Sequence, residues 1–139
     1  MAMTQAVFSG VRIGQHPCTD RLVLVVDGTS AVGWTVQYVP LVHADPSDKP
    51  VPVAGLAALR VVLRAPAGLP GHPVVAPPAT YVYVSPAQVA TWASLREVRL
   101  AGNFEGVTTL AVGVSHTQPF HVTSYLSGGQ RLVVIDLLH

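Results

Sequence analysis

The sequence predicts an all-β fold: a two-sheet β-sandwich of about nine strands with one short helix. Three observations carry that expectation. Val supplies 25 of the 139 residues, and β-branched side chains fit the pleated surface of a strand. Twelve Gly and 12 Pro recur at short intervals, so chain breakers separate runs of strand length. Several runs alternate apolar and polar residues with a period of two, the pattern of a sheet with one buried face.

Taken in order, strands are expected at residues 7–13, 21–27, 34–42, 57–64, 79–84, 96–101, 107–115, 120–126 and 131–137, with a short edge piece at 51–54. Trp34, Val36 and Tyr38 share one face, opposed by Thr35 and Gln37. Phe120, Val122 and Leu126 likewise oppose His121, Thr123 and Tyr125. Residues 21–27 and 131–137 are nearly continuous apolar runs, which predicts central strands covered on both faces. The paired glycines of Ser127-Gly128-Gly129-Gln130 supply the positive φ of a tight hairpin, and Asp27-Gly28 reads as a second turn of that kind. Ser85 as N-cap and Pro86 at the first helical position predict a helix over residues 85–95, with Val89, Trp92 and Ala93 facing the sheets. Pro and Gly crowd residues 66–78, which reads as an exposed extended loop. Residues 1–139 form one domain, with residues 1–5 expected to be disordered.

Composition excludes several function classes. A formal net charge of +1 supplies no basic face for nucleic acid and no polybasic membrane patch. No apolar run approaches the roughly 18 residues that span a bilayer, so no membrane-spanning segment is expected. Residues 1–10 have neither a basic start nor an apolar stretch, so an export signal is expected to be absent from this chain. Cys18 is the single cysteine, which rules out an internal disulfide.

Candidate chemistry is sparse. His16-Pro17-Cys18-Thr19-Asp20-Arg21 gathers a thiol, an imidazole and a carboxylate, the groups of a nucleophilic site. All lie within a few residues of one turn, which favours structural roles. His16-x-Cys18 and His43-x-Asp45 offer two metal ligands each, with His72, His116, His121 and His139 scattered; structural zinc wants four in paired sets, so no metal and no other cofactor is expected. Asp136 lies inside an apolar strand and needs a partner, for which Arg21 and Arg131 are the natural choices. Trp34, Tyr38, Tyr81, Tyr83, Trp92 and Tyr125 could form a sugar-stacking platform, although the alternation assigns most of them to packing. No serine elbow, phosphate loop or paired acid/base motif is present.

Asp20-Arg21-Leu22-Val23 running to Asp27-Gly28 and preceded by His16, then Val36-Gln37-Tyr38-Val39, Val51-Pro52-Val53-Ala54-Gly55 and Leu59-Arg60-Val61, resemble the AMIN-like domains of actinobacteria. So do Gly102-Asn103-Phe104-Glu105-Gly106, Val112-Gly113, Pro119-Phe120 and the closing Arg131-Leu132-Val133-Val134-Ile135-Asp136. The resemblance covers nearly everything from Val11 onward. It implies a non-catalytic accessory module of the cell envelope, secreted or lipid-anchored in full-length form. Its partner would be peptidoglycan or an envelope protein, because AMIN domains are β-sandwiches appended to peptidoglycan amidases and secretin pores. An amidase or secretin partner domain and a lipid-attachment Cys are not found in this chain. His16, Asp20, Arg21, Glu105 and Asp136 match family positions and, with Tyr38, are the candidate ligand-binding residues. Two other classes stay open: a small-molecule carrier with its cavity between the sheets, gated by residues 66–78, and a hydrolase built on His16, Cys18 and Asp20. An exposed edge strand would allow a weak homodimer as well as a monomer.

Overall fold

The computed structural model describes residues 6–29, 31–68 and 76–139. The expected disorder of residues 1–5, and the middle of the Pro/Gly-rich loop with His72, lie outside them. Eleven strands run through the described residues: β1 (Val7–Gln15), β2 (Thr19–Asp27), β3 (Trp34–Val39), β4 (Val42–His43), β5 (Pro50–Val51), β6 (Ala57–Leu63), β7 (Val82–Val84), β8 (Leu95–Phe104), β9 (Val107–Val114), β10 (Phe120–Ser127) and β11 (Gln130–Leu138). Nine of them build two antiparallel sheets, ordered β1-β2-β11-β10 and β3-β6-β9-β8-β7, while β4 and β5 pair with each other.

One hydrophobic cluster joins the two sheets. Leu22, Leu24, Val26, Val133, Ile135 and Leu137 from the first meet Leu59, Val61, Leu63, Leu110, Val112 and Val114 from the second, nearly all fully buried. The sheets therefore stack face to face as a sandwich. Aromatic pairs close both flanks. Tyr38 of β3 meets Phe120 of β10 edge-on at 5.7 Å between ring centres. Phe8 of β1 meets Tyr83 of β7 at 5.2 Å. Burial beside Tyr81 raises the Tyr83 phenol above its ordinary pKa, so its hydroxyl stays protonated.

The two apolar runs are the central strands of the four-stranded sheet, as their continuity predicts. Their outer sides are buried differently from the expectation. Val25, Leu132 and Val134 form their own small buried cluster with Val23; among the described residues no further strand ladder covers it. Gly128 (φ 55°) and Gly129 (φ 82°) close the β10–β11 hairpin. Asp27-Gly28 closes no hairpin, because the chain leaves β2 there for the other sheet. Residues 34–42 are not one strand: Pro40 interrupts them, and Val42 starts β4. Leu126 belongs to the inward row but lies beyond the core and is 52% exposed.

The expected helix shrinks to a single 3-10 turn, Pro86–Val89. Gln88 Oε1 accepts from the Ser85 N–H at 2.7 Å, yet the chain must enter β8 at Leu95 and has no room for more turns. Val89 is buried and Trp92 packs on the core, whereas Ala93 faces solvent. The Pro/Gly-rich loop is not exposed throughout. Ala67, Gly68 and Pro77 are buried, Phe8 exchanges backbone hydrogen bonds with Pro66 and Gly68, and the Asn103 amide grips both backbone groups of Ala67.

Residues 40–56 form a strap over the outer side of the five-stranded sheet. Val42 and Val51 are buried there against Ala58, Ala101 and Ala111. Glu97 Oε1 accepts from the Ala54 N–H at 2.8 Å, and the Asp45 N–H donates to Ala101 O at 3.1 Å. Gly113 makes this approach possible, since a Cβ there would collide with the Ala54 carbonyl oxygen. Gly113→Ala is accordingly expected to cost about 2 kcal/mol of unfolding free energy, in the range of overpacking, and to speed amide exchange across residues 40–56. Unchanged stability together with unchanged exchange would refute the close seating of the strap.

Candidate functional site

With one sheet strapped, the outer face of the four-stranded sheet is, among the described residues, the side without a covering ladder. Pairing register lays it out as a grid, because directly opposed residues in an antiparallel pair share a face. One row across β1, β2, β11 and β10 reads Gly14, Arg21, Asp136 and His121. The next reads Arg12, Val23, Val134 and Thr123, and the third Gly10, Val25, Leu132 and Tyr125. The centre is an apolar floor; the margins carry charge, hydroxyl, imidazole and an aromatic ring.

Arg21 and Asp136 pair two-pronged, Nε to Oδ1 at 2.8 Å and Nη2 to Oδ2 at 3.1 Å. The hydrogen bond to Asp136 raises the Arg21 pKa above its already high ordinary value, with the charges of Asp136 and Tyr125 adding to it. The Arg21 side chain is 42% exposed, so it presents a fixed cation to solvent. His16 joins this row: its Nε2 lies 3.6 Å from the place a Gly14 Cβ would take, which sets the imidazole over Gly14 on the same face. The glycine leaves room for a ring that a larger side chain would displace.

Asp20 and Tyr38 are elsewhere. Asp20 neighbours Arg21, so it points the opposite way, into the sandwich, and is 1% exposed. Its Oδ2 accepts from the backbone N–H groups of Ser94 (2.6 Å) and Leu95 (2.9 Å), which ties β2 to the start of β8. The His139 imidazole approaches the other oxygen at 3.3 Å. Buried Gln118 extends this joint, donating through Nε2 to Ser94 Oγ at 2.6 Å and to Leu138 O at 2.7 Å. Tyr38 completes it: its hydroxyl donates to Gln118 O at 2.7 Å and accepts from Gln118 N at 3.0 Å. Both residues thus hold the sheets together.

Glu105 stands at the far end of β8, in the tight turn that Phe104↔Val107 pairing closes. Its φ of 52° and that of Gly106 at 76° make it a turn residue. Cys18 is exposed in the β1–β2 turn, while the Asp20 carboxylate is turned inward and occupied; the thiol–imidazole–carboxylate set is divided between the two sides of the sheet. Among the described residues no three His, Cys, Asp or Glu side chains gather as a metal site, and no helix is long and apolar enough to cross a membrane. A space of about 580 Å³ lies between the strap, residues 76–80 and β8, lined by Pro46, Lys49, Val51, Pro77 and Ala101. It is outside the five-stranded sheet, not between the sheets. His121, Thr123, Gln118 and Ser94 are not among the ligand-binding candidates that the sequence offers. The alternation of β10 carried a signal for the first two; the other two act through tertiary contacts alone.

The family model of the AMIN-like domain matches residues 6–139. No curated protein and no solved structure is matched by the chain.

Asp20→Ala leaves two buried N–H groups without an acceptor. It is expected to lower the unfolding free energy by about 3 kcal/mol, read by chemical denaturation, with Asp20→Asn losing less because one acceptor oxygen remains. A loss below about 0.5 kcal/mol would show that this joint does not hold the sheets.

Proposed function

The chain belongs to the AMIN-like domain family, and from that premise we propose that it is a non-catalytic module of the extracytoplasmic cell envelope that binds peptidoglycan through the outer face of its four-stranded sheet. Family membership supports the envelope setting. The observation that carries the choice of face is the strap: among the described residues it covers one sheet surface, and no strand covers the other, which presents a plane of mixed chemistry.

That plane suits a glycan bearing peptide. Tyr125, 49% exposed, offers a ring face for an apolar sugar face. Arg21, held flat by Asp136, can meet a carboxylate or hydroxyl in a fork. His121, Thr123 and His16 supply further polar contacts around a valine floor. A rigid sheet positions all of these on one broad face, an arrangement that suits recognition. With Asp20 spent on the inter-sheet joint, the hydrolase reading loses its third group. Docking to an envelope protein would use the same face and differs only in its occupant. The space beside Pro46 and Pro77 favours a second reading, small-molecule carriage; a thermal-shift screen of small apolar ligands addresses that site independently.

Sedimentation with purified sacculi tests the main reading. The chain is expected to pellet with sacculi, and Tyr125→Ala and Arg21→Ala to cut the bound fraction at least about fivefold; the melting temperature of Tyr125→Ala stays within a few degrees, whereas Arg21→Ala also loses stability because it leaves Asp136 without its partner. Pelleting no greater than that of an unrelated β-protein, or binding unaffected by both substitutions, would overturn it.

A further inference from the structure

β10 is the outermost strand of the four-stranded sheet, and its edge has a defined polarity. Leu138 N–H donates to Pro119 O at 2.9 Å, which fixes the alternation along the ladder. The backbone groups of His121, Thr123, Tyr125 and Ser127 point to β11; those of Phe120, Val122, Ser124 and Leu126 point away from it. Among the described residues no strand pairs with that outward row.

Edges are normally blunted by charge, proline, a bulge or shortness. β10 has none of these: eight residues, FHVTSYLS, in unbroken register. The opposite edge, β1, has Arg12, a register shift between Phe8 and Gly10, and a bridge from Phe8 to Ala67. In the five-stranded sheet β7 is three residues long with its own shift, and β3, in unbroken register, is six residues long and ends against Pro40.

We propose that β10 pairs antiparallel with β10 of a second copy about a twofold axis through Thr123, making one continuous eight-stranded sheet. The self-register is what singles out a second copy as the occupant. About that axis Phe120 lies opposite the other copy's Leu126, and Val122 opposite Ser124, using every outward backbone group of the row. Leu126, which its own fold leaves 52% exposed, gains an aromatic neighbour on the inward side. On the outer side His121 meets Tyr125, and Thr123 meets itself, a favourable cross-strand pair. No ionic residue opposes a like charge, and a net charge of +1 per copy offers little repulsion. A C2 axis of this kind is the commonest closed symmetry. The inference does not depend on the ligand of the outer face.

Analytical ultracentrifugation of the full chain is expected to give a concentration-dependent monomer–dimer equilibrium. In a Cys18→Ser background, Thr123→Cys places two sulfurs across the axis, where Cβ atoms stand about 5 Å apart. It is expected to form a disulfide-linked dimer at least about tenfold faster than Tyr125→Cys, whose two copies would lie about 13 Å apart. Ser124→Pro removes an outward N–H and leaves the β11 ladder whole; adding it should abolish the crosslink. Thr123→Lys, at an exposed site, sets like charges face to face and should weaken the dimer at least about tenfold with an unchanged circular-dichroism spectrum. A monomer at all concentrations up to about 1 mM, a range that covers weak association, would overturn the proposal. So would equal crosslinking at positions 123 and 125, or capture of another protein's strand by β10 without self-association.

Discussion

The Asp20 carboxylate sits between two sheets that meet mainly through apolar contact. A polar group so placed must find partners, because water is excluded and each unmet hydrogen bond is costly. It finds them in the backbone of the facing sheet, at Ser94 and Leu95. Aliphatic packing resists separation of the layers but tolerates sliding; two directional bonds from one carboxylate fix the register of one sheet on the other. Gln118 and the Tyr38 hydroxyl repeat the device a few ångströms away. The outer grid follows from this: once Asp20 faces inward, its neighbour Arg21 must face outward, where Asp136 waits on the paired strand.

Local pattern made much of this legible. Period-two alternation located the strands of both sheets, and the Gly128-Gly129 pair located the last hairpin, because both depend on residues adjacent in sequence. The Arg21–Asp136 pair was within reach for a different reason: an acid in an apolar strand restricts its own partners to a very short list. The inward turn of Asp20 was not visible, since it depends on which of two faces the interior claims, and the flanking apolar residues lie on both. The helix at residues 85–95 failed for a tertiary reason: its capping signals are present, but β8 claims the chain at Leu95.

The strap was the largest unread feature. Residues 43–50 read as a polar loop between an expected strand and a short edge piece, with His43, Asp45, Ser47, Asp48 and Lys49 in close succession. Val42 and Val51 are the two hydrophobic anchors, and they are too far apart to form a periodic signal. Their receiving surface is built from small residues on three other strands, Ala58, Ala101 and Ala111, with Gly102 and Gly113 admitting the backbone. Small residues at solvent-side strand positions read as neutral until something is laid on them. Glu105 illustrates the converse: a position that resemblance singles out is occupied by a turn residue whose backbone conformation accounts for it.

The seventeen-residue detour over one sheet also gives the molecule handedness toward its surroundings. A plain sandwich has two comparable broad sides and could lie on a layer either way up. Among the described residues one broad side carries an extra layer and the other does not, so the two faces differ in chemistry and a chain laid on an extended surface would have a top and a bottom.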